Sequence, residues 1–284
     1  MGTEIAEIRP PTGYIAEVRT VEKYLEAISK WHSENSVEER KFLGEVWFRG
    51  NGRNYKIPLC PGVYREEFMK RAKQCNGKDD DEKRLYLEQR MLEEFSTTGA
   101  ALLRASDMVD TYLAAQHFGM PTRLLDWTTN PLAALFFAVE KQEDHARAGE
   151  VYVMEAKKIL PPVKEGVKGD EGLWVIVRLR HPYVVDAIGK SFWRPPNKPR
   201  PPLIVPVRPD NQPGRVGQQS SCFTLHMHES KAVNNSTIAR VKVPSQAKGG
   251  ILKELHRTNI NSFTIYNDLD HLSKDIRAAW GVEP

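Results

Sequence analysis

The sequence predicts an α+β fold in which helices flank a mixed or antiparallel central sheet. Three observations carry that expectation. The stretch "LAALFFAVEK" at residues 132–141 is apolar nearly all round, and in a globular chain such a helix is buried beside a sheet. Short runs rich in β-branched and aromatic residues, "EVWFRG" and "GEVYVMEA" among them, read as strands. Helices and strands also follow one another irregularly, without the regular alternation of a doubly wound parallel sheet.

The chain has 284 residues, 40% of them hydrophobic and 27% charged, which places it among ordinary globular proteins with ample core material. We divide it into a helical lead-in at residues 1–45 and one globular unit at 46–284, interrupted by a proline-rich basic insertion at about 194–214. The longest apolar run, Leu132 to Val139, is far shorter than the ~20 residues that cross a bilayer. The first residues lack the basic-then-apolar order of a secretion signal, and Gly2 is not followed by a myristoylation pattern. Cys60, Cys75 and Cys222 are scattered without CxxC spacing, so neither a disulfide framework nor a zinc ribbon is indicated. A reducing cytoplasm is the expected location. A net charge of +4 permits a polyanion partner without requiring one. Arg194, Lys198, Arg200, Arg208 and Arg215 concentrate that charge, although a solvated basic loop is the simpler reading of charge alone.

Taken in order, the elements are these. Residues 20–33 form a helix with Thr20 as N-cap and Val21, Tyr24, Leu25, Ile28 and Trp31 at helical spacing. "EVWFRG" is a short strand, and residues 51–63 are a loop rich in Gly and Pro. Residues 66–95 are helical around a charged break at "NGKDDDEK", with Leu85, Leu92 and Phe95 on the apolar face. The next helix takes Ser106 as N-cap, carries Met108, Tyr112 and Ala115 on one stripe, and stops at Gly119. Asn130 then caps the apolar helix, with Pro131 at its first position. Strands follow at 149–156 and 173–181. "LIVPV" reads as an edge strand, where proline is tolerated, and "QQSSCFTLHMH" as a further strand. "ILKELHRTNI" is a helix, "NSFTIYND" a turn or short strand, and "LDHLSKDIRAAW" an amphipathic last helix.

Three constellations could carry chemistry. In "WFRGNG", Arg49 ends a strand, where its planar fork of donors suits a phosphate or carboxylate, and Gly50 leaves room for close approach; an internal ion pair is the competing reading. In "HFGMPTRLLDWTTNPLAALFFA", His117, Arg123, Asp126, Trp127 and Thr128 stand just before the N-terminus of the buried helix, a place that favours anions. Arg123 and Asp126 are either part of a pocket wall or a structural staple. In "GRVGQQSSCFTLHMH", alternation places Gln219, Ser221 and Phe223 on one face, and Cys222, His226 and His228 on another. That second set lacks a further ligand cluster, so no metal is assigned.

Together "WFRG", "AQHFGMPTRLLDWTTNPLAALFFA", "QQSSCFTLH" and "FTIYNDLDHLSKDI" resemble the FRG domain family, whose name-giving residues are here Phe48, Arg49 and Gly50. The resemblance runs from about Val46 to about Ile276. The order of motifs is more distantly similar to ADP-ribosyltransferases of the Arg-Ser-Glu type, which implies an ADP-ribosyltransferase-like core and NAD as substrate. Under that likeness Arg49 grips the NAD phosphates, and Asp126-Trp127-Thr128 stand where the Ser-Thr-Ser strand supports the nicotinamide side. The third motif departs from the pattern, offering Gln218 or Gln219 in place of a catalytic Glu. Glutamine can hold a ribose hydroxyl but brings no charge to a cationic transition state. Either Asp126 or Glu229 supplies the carboxylate, or transfer is slow, or the pocket only binds.

The resemblance thus implies a transferase-like protein, of a kind suited to a toxin or phage-defence effector, with a nucleic acid or a protein as acceptor. Phe48, Gly50, His117, Arg123 and Trp127 would line the NAD site, Trp127 by stacking, while Arg49, Asp126, Thr128 and Gln219 carry the catalytic roles. A non-catalytic nucleotide or nucleic-acid binding module and an NAD glycohydrolase are the alternatives.

Overall fold

The computed structural model describes residues 13–35, 46–55, 58–103, 105, 107–159, 176–189, 204–209, 220–227 and 238–282. Eight strands form one mixed sheet: β1 (Gly13–Glu17), β2 (Val46–Asn51), β3 (Leu124–Thr128), β4 (Gly149–Glu155), β5 (Val177–Arg178), β6 (Ile204–Arg208), β7 (Ser221–His226) and β8 (Ala239–Val243). Their order is β1-β8-β4-β2-β3-β7-β6-β5. The pairings are antiparallel except at the two ends, where β1 runs parallel to β8 and β5 parallel to β6. The N-terminal stretch expected as a helical lead-in therefore also supplies an edge strand.

The sheet is two four-stranded halves with a narrow joint. On one side β2 pairs with β4 over six residues, Val46 to Asn51; on the other β3 pairs with β7 over five, Leu124 to Thr128. Among the described residues only Phe48 and Thr128 pair β2 with β3. Beyond that pair the halves part.

Nine helices of the described residues surround the sheet: α1 (Val21–Asn35), α2 (Glu66–Ala72), α3 (Asp80–Thr98), α4 (Met108–His117), α5 (Pro131–Val139), α6 (Pro182–Gly189), α7 (Lys248–Arg257), α8 (Ser262–Tyr266) and α9 (Leu269–Ala279). The apolar α5 is buried as its composition requires. Ala133, Ala134, Leu135, Phe136, Ala138 and Val139 pack into a core with Phe48 of β2, Val151 and Val153 of β4, Tyr24 and Ile28 of α1, and Ile251 and Leu255 of α7. This helix lies so close to the sheet that a Cβ on Gly50 would stand 1.9 Å from the Ala134 carbonyl oxygen, and one on Gly149 2.4 Å from that of Ala138. The other half of the sheet has its own core, in which Leu124, Val205, Val207, Phe223 and Leu225 meet Tyr112 and Leu113 of α4 and Val184 and Ile188 of α6. A third cluster, on the opposite face, holds Trp47, Leu125, Trp127, Tyr152, Met154 and Cys222.

Several element boundaries differ from the sequence expectation, each for a local reason. Helix α4 is capped by Asp107, whose side chain accepts from the Asp110 N–H; the expected cap, Ser106, lies outside the described residues. Gly119 does terminate that helix, at φ +85°, where a side chain would be strained. Of the strand expected at 173–181, the described residues keep only Val177–Arg178, and the chain turns into α6 at Pro182. The expected edge strand at "LIVPV" is second from the edge, because β5 pairs with Val207 and Arg208. The pairing stops short of Pro206, which has no N–H to offer. "NSFTIYND" is neither turn nor strand but helix α8, begun by a capping box in which Asn261 and Thr264 bond each other's backbone. No helix of the described residues is long and apolar enough to cross a membrane.

Candidate functional site

The site opens where β2 and β3 part. Past Phe48, the outer edge of β2 is bonded to β4, and that of β3 to β7, so their facing edges have no strand partner. Arg49 spans the gap. Its Nη1 donates to the main-chain carbonyl of Asp126 at 2.7 Å and stands 3.8 Å from the Asp126 carboxylate. An arginine thus replaces a missing rung of the sheet. Its Nε is buried without a hydrogen-bond partner. Burial lowers the Arg49 pKa; Asp126 opposes that shift and the charge of Arg65 adds to it. A guanidinium stays charged regardless.

A cleft of about 400 Å³ occupies this parting. Phe48, Arg49, Gly50, His117, Asp126, Trp127 and Thr128 all border it, so the two sequence motifs meet in space. Gln116, Tyr55, Phe137, Glu140 and Tyr266 also line it and were not read from the sequence. Gln116 is the partner of Asp126: its amide nitrogen lies 3.1 and 3.0 Å from the two carboxylate oxygens, while its carbonyl accepts from the Thr122 hydroxyl. The pair holds an exposed carboxylate in a defined direction beside Arg49. Across the cleft, Tyr266 sits edge-on to Phe137 with ring centroids 6.0 Å apart, stacks on His271 at 4.0 Å, and donates to both oxygens of Glu140 at 2.8 and 2.9 Å. Burial raises the Glu140 pKa against the lowering effect of that hydroxyl.

The rim is fixed by a buried lysine. Lys248 Nζ donates to the Gly52 carbonyl and, at 2.9 Å, to that of Asp144, tying the turn after β2 to the segment after α5. Burial lowers its pKa, consistent with a staple that satisfies carbonyls rather than a solvated cation.

A second cleft, of about 380 Å³, adjoins the first and shares Arg49, Arg65, Gln116 and Asp126 with it. Its other walls include Pro61, Glu67, Phe68, Met120, Pro121 and Leu125.

The remaining sequence expectations divide. Arg123 does not border this cleft. It is buried 2.9 Å from Glu88 of α3, and Glu88 also accepts from the Arg123 backbone N–H and the Tyr112 hydroxyl. The staple reading is therefore right for Arg123, with Glu88 rather than Asp126 as its partner. Burial opposes its charge, but Glu88 and the neighbouring tyrosines raise its pKa further. The Trp127 ring offers no stacking face: it is 3% exposed, within the third core cluster, and its Nε1 donates to Thr224 Oγ1 at 3.1 Å. Period-two alternation sends Trp127 away from the face that Asp126 and Thr128 occupy. Gly50 is needed less for ligand approach than for the contact with α5. Thr128 is buried and accepts from the Asn130 N–H at 2.9 Å. The expected anion cradle at the start of α5 is filled from within, because Asn130 Oδ1 takes the N–H groups of Leu132 and Ala133 at 2.9 and 3.3 Å. Gln218, Gln219, His228 and Glu229 lie outside the described residues, as do Arg194, Lys198, Arg200 and Arg215 of the basic stretch. His226 is buried and bonds Thr224 at 3.0 Å. Among the described residues no group of three or more potential ligands gathers for a metal.

Searches of curated proteins and of solved structures return no match. A scan of protein families does: residues 44–147, which hold the Arg49 strand, the Asp126 strand and the buried helix behind them, match the FRG domain.

Proposed function

We propose that the cleft binds NAD and transfers its ADP-ribosyl group. The observation that carries this reading is Arg49 bridging the parted strands, a guanidinium held at the centre of a cleft that also offers a carboxylate and an aromatic wall. Arg49 would take the pyrophosphate, for which its planar fork of donors is suited. Asp126, directed by Gln116, would accept from ribose hydroxyls. In the reaction the bond between nicotinamide nitrogen and ribose C1′ breaks, nicotinamide leaves with the bonding pair, and an acceptor nucleophile forms the new bond to C1′ and loses a proton. Positive charge develops on the ribose in between, and a nearby carboxylate stabilises it. Asp126 and Glu140 are the acids placed to do so, with Asp126 the better suited because Glu140 is held toward its neutral form.

The acceptor is a protein or nucleic acid, and such chemistry suits a cytoplasmic toxin or phage-defence effector; transfer to water would make the protein an NAD glycohydrolase. The absence of Glu from "GRVGQQSSCFTLH" favours a second reading, a pocket that binds a nucleotide without turnover. Calorimetric titration with NAD beside an assay for released nicotinamide separates them. Binding with release is the expected outcome, binding without release moves the protein to the second reading, and no binding at millimolar NAD overturns both for this ligand.

A further inference from the structure

Arg65 has no role in the reading above, yet it stands with Arg49 at the junction of the two clefts. It precedes α2, is exposed, and makes one weak contact, from its Nε to the Cys60 carbonyl at 3.5 Å. Among the described residues it forms no ion pair. Two guanidiniums therefore face one junction, close enough for the charge of Arg65 to act on Arg49. Local structure uses only its backbone: Arg65 is the N-cap residue of α2, and its side chain makes no capping bond there. Among the residues common to both clefts, two guanidiniums face one carboxylate, that of Asp126, 3.8 Å from Arg49, so an anion supplies the charge still missing.

The shape of the cavity says what kind of anion. One lobe carries Tyr55, Phe137 and Tyr266, the other Phe68, Met120 and Pro121, and the arginines stand where the lobes meet. A ligand filling both lobes must place its linker at the junction. We propose that Arg49 and Arg65 form a two-guanidinium site for a diphosphate linker, and that the protein selects diphosphate-bridged nucleotides over monophosphates through Arg65. The place of this site rests on the nucleotide reading of the cleft, but its recognition chemistry does not involve nicotinamide.

The test is calorimetric titration of the full chain with inorganic pyrophosphate, ADP, AMP and NAD, in the wild type, Arg65→Gln, Arg65→Lys and Arg71→Gln. Arg71, an exposed arginine within α2, matches the change in net charge without bordering the junction. The wild type should bind pyrophosphate and prefer ADP to AMP. Arg65→Gln should weaken pyrophosphate and ADP about tenfold and narrow the ADP preference, since a lost charge-assisted bond is worth about that much. Arg65→Lys should recover part of the loss, a point charge replacing a fork. Unchanged pyrophosphate and ADP binding in Arg65→Gln, or an equal loss in Arg71→Gln, overturns the proposal. Pyrophosphate binding that depends on Arg65 in a protein that ignores NAD would uphold the diphosphate site and remove the transferase reading. NAD binding indifferent to Arg65 would do the reverse.

Discussion

Two arginines, one on β2 and one immediately before β3, behave in opposite ways. Arg123, at the head of β3, is closed: its guanidinium stands 2.9 Å from the buried Glu88, which also accepts from the Tyr112 hydroxyl and the Arg123 backbone N–H, although the Arg123 Nε, like that of Arg49, makes no aligned hydrogen bond. Arg49, on the neighbouring β2, is open: it holds a backbone carbonyl with one nitrogen, keeps its Nε buried and borders a cleft, while its nearest carboxylate stays exposed and turned toward Gln116. Both stand near an acid, so residue type does not distinguish them. What distinguishes them is whether the partner is buried with them. A desolvated pair must be complete, because a leftover charge in the interior is costly. An arginine that borders a cleft can take a ligand as its partner.

The sharpest way to break the comparison is to open the closed pair. Glu88→Ala leaves the Arg123 guanidinium buried without its acid, and should cost about 3–5 kcal/mol of stability in denaturant unfolding. If the variant loses much less, Arg123 is not the staple described. Arg49→Ala should do the converse. We expect about a ten- to hundredfold loss of nucleotide affinity, the worth of a hydrogen bond to a charged group, with a far smaller change in unfolding midpoint than Glu88→Ala. A collapse of the fold would show that Arg49 is also structural.

Gly50→Ala tests the scaffold between them. The added methyl meets the Ala134 carbonyl, so β2 and α5 must separate, at a cost of about 1–3 kcal/mol. Because Arg49 is the adjacent residue, affinity should fall in the same variant, detected by titrating the folded protein with NAD. The smallest effect concerns Glu140. Its folded pKa is raised by burial, so the folded state holds the proton more tightly than the unfolded chain. That contribution is fully present below the unfolded value of a glutamate, about 4.3, and is lost as pH rises through the raised folded value. Glu140→Gln should flatten this part of the stability profile and raise stability slightly at neutral pH, measured as the melting temperature across pH 4 to 8. A steeper profile in the variant would contradict the assignment.

Much of the fold was legible in local chemistry. The apolar run of α5 required burial, Asn130 and Pro131 marked its start, and Gly119 marked the end of α4, because periodicity, capping and φ preference act within a few residues. The errors share a different cause. "NSFTIYND" carries the β-branched and aromatic residues of a strand, and the Asn261 capping box overrode that preference. Trp127 looked like a stacking platform because a large aromatic beside polar residues does, until strand parity sent it to the far side of the sheet.

For the site, the sequence by itself singled out Arg49 and the segment from His117 to Thr128 as places where polar groups interrupt a buried framework. Only the tertiary structure decided their roles. Arg123 found Glu88 35 positions away, Arg49 reached a carbonyl 77 positions away, and Gln116 and Arg65 acquired importance solely from where the strands part. The reason is physical: a helix cap or an apolar face is satisfied by near neighbours, whereas a charge takes its meaning from the burial and the partners that the folded chain brings to it.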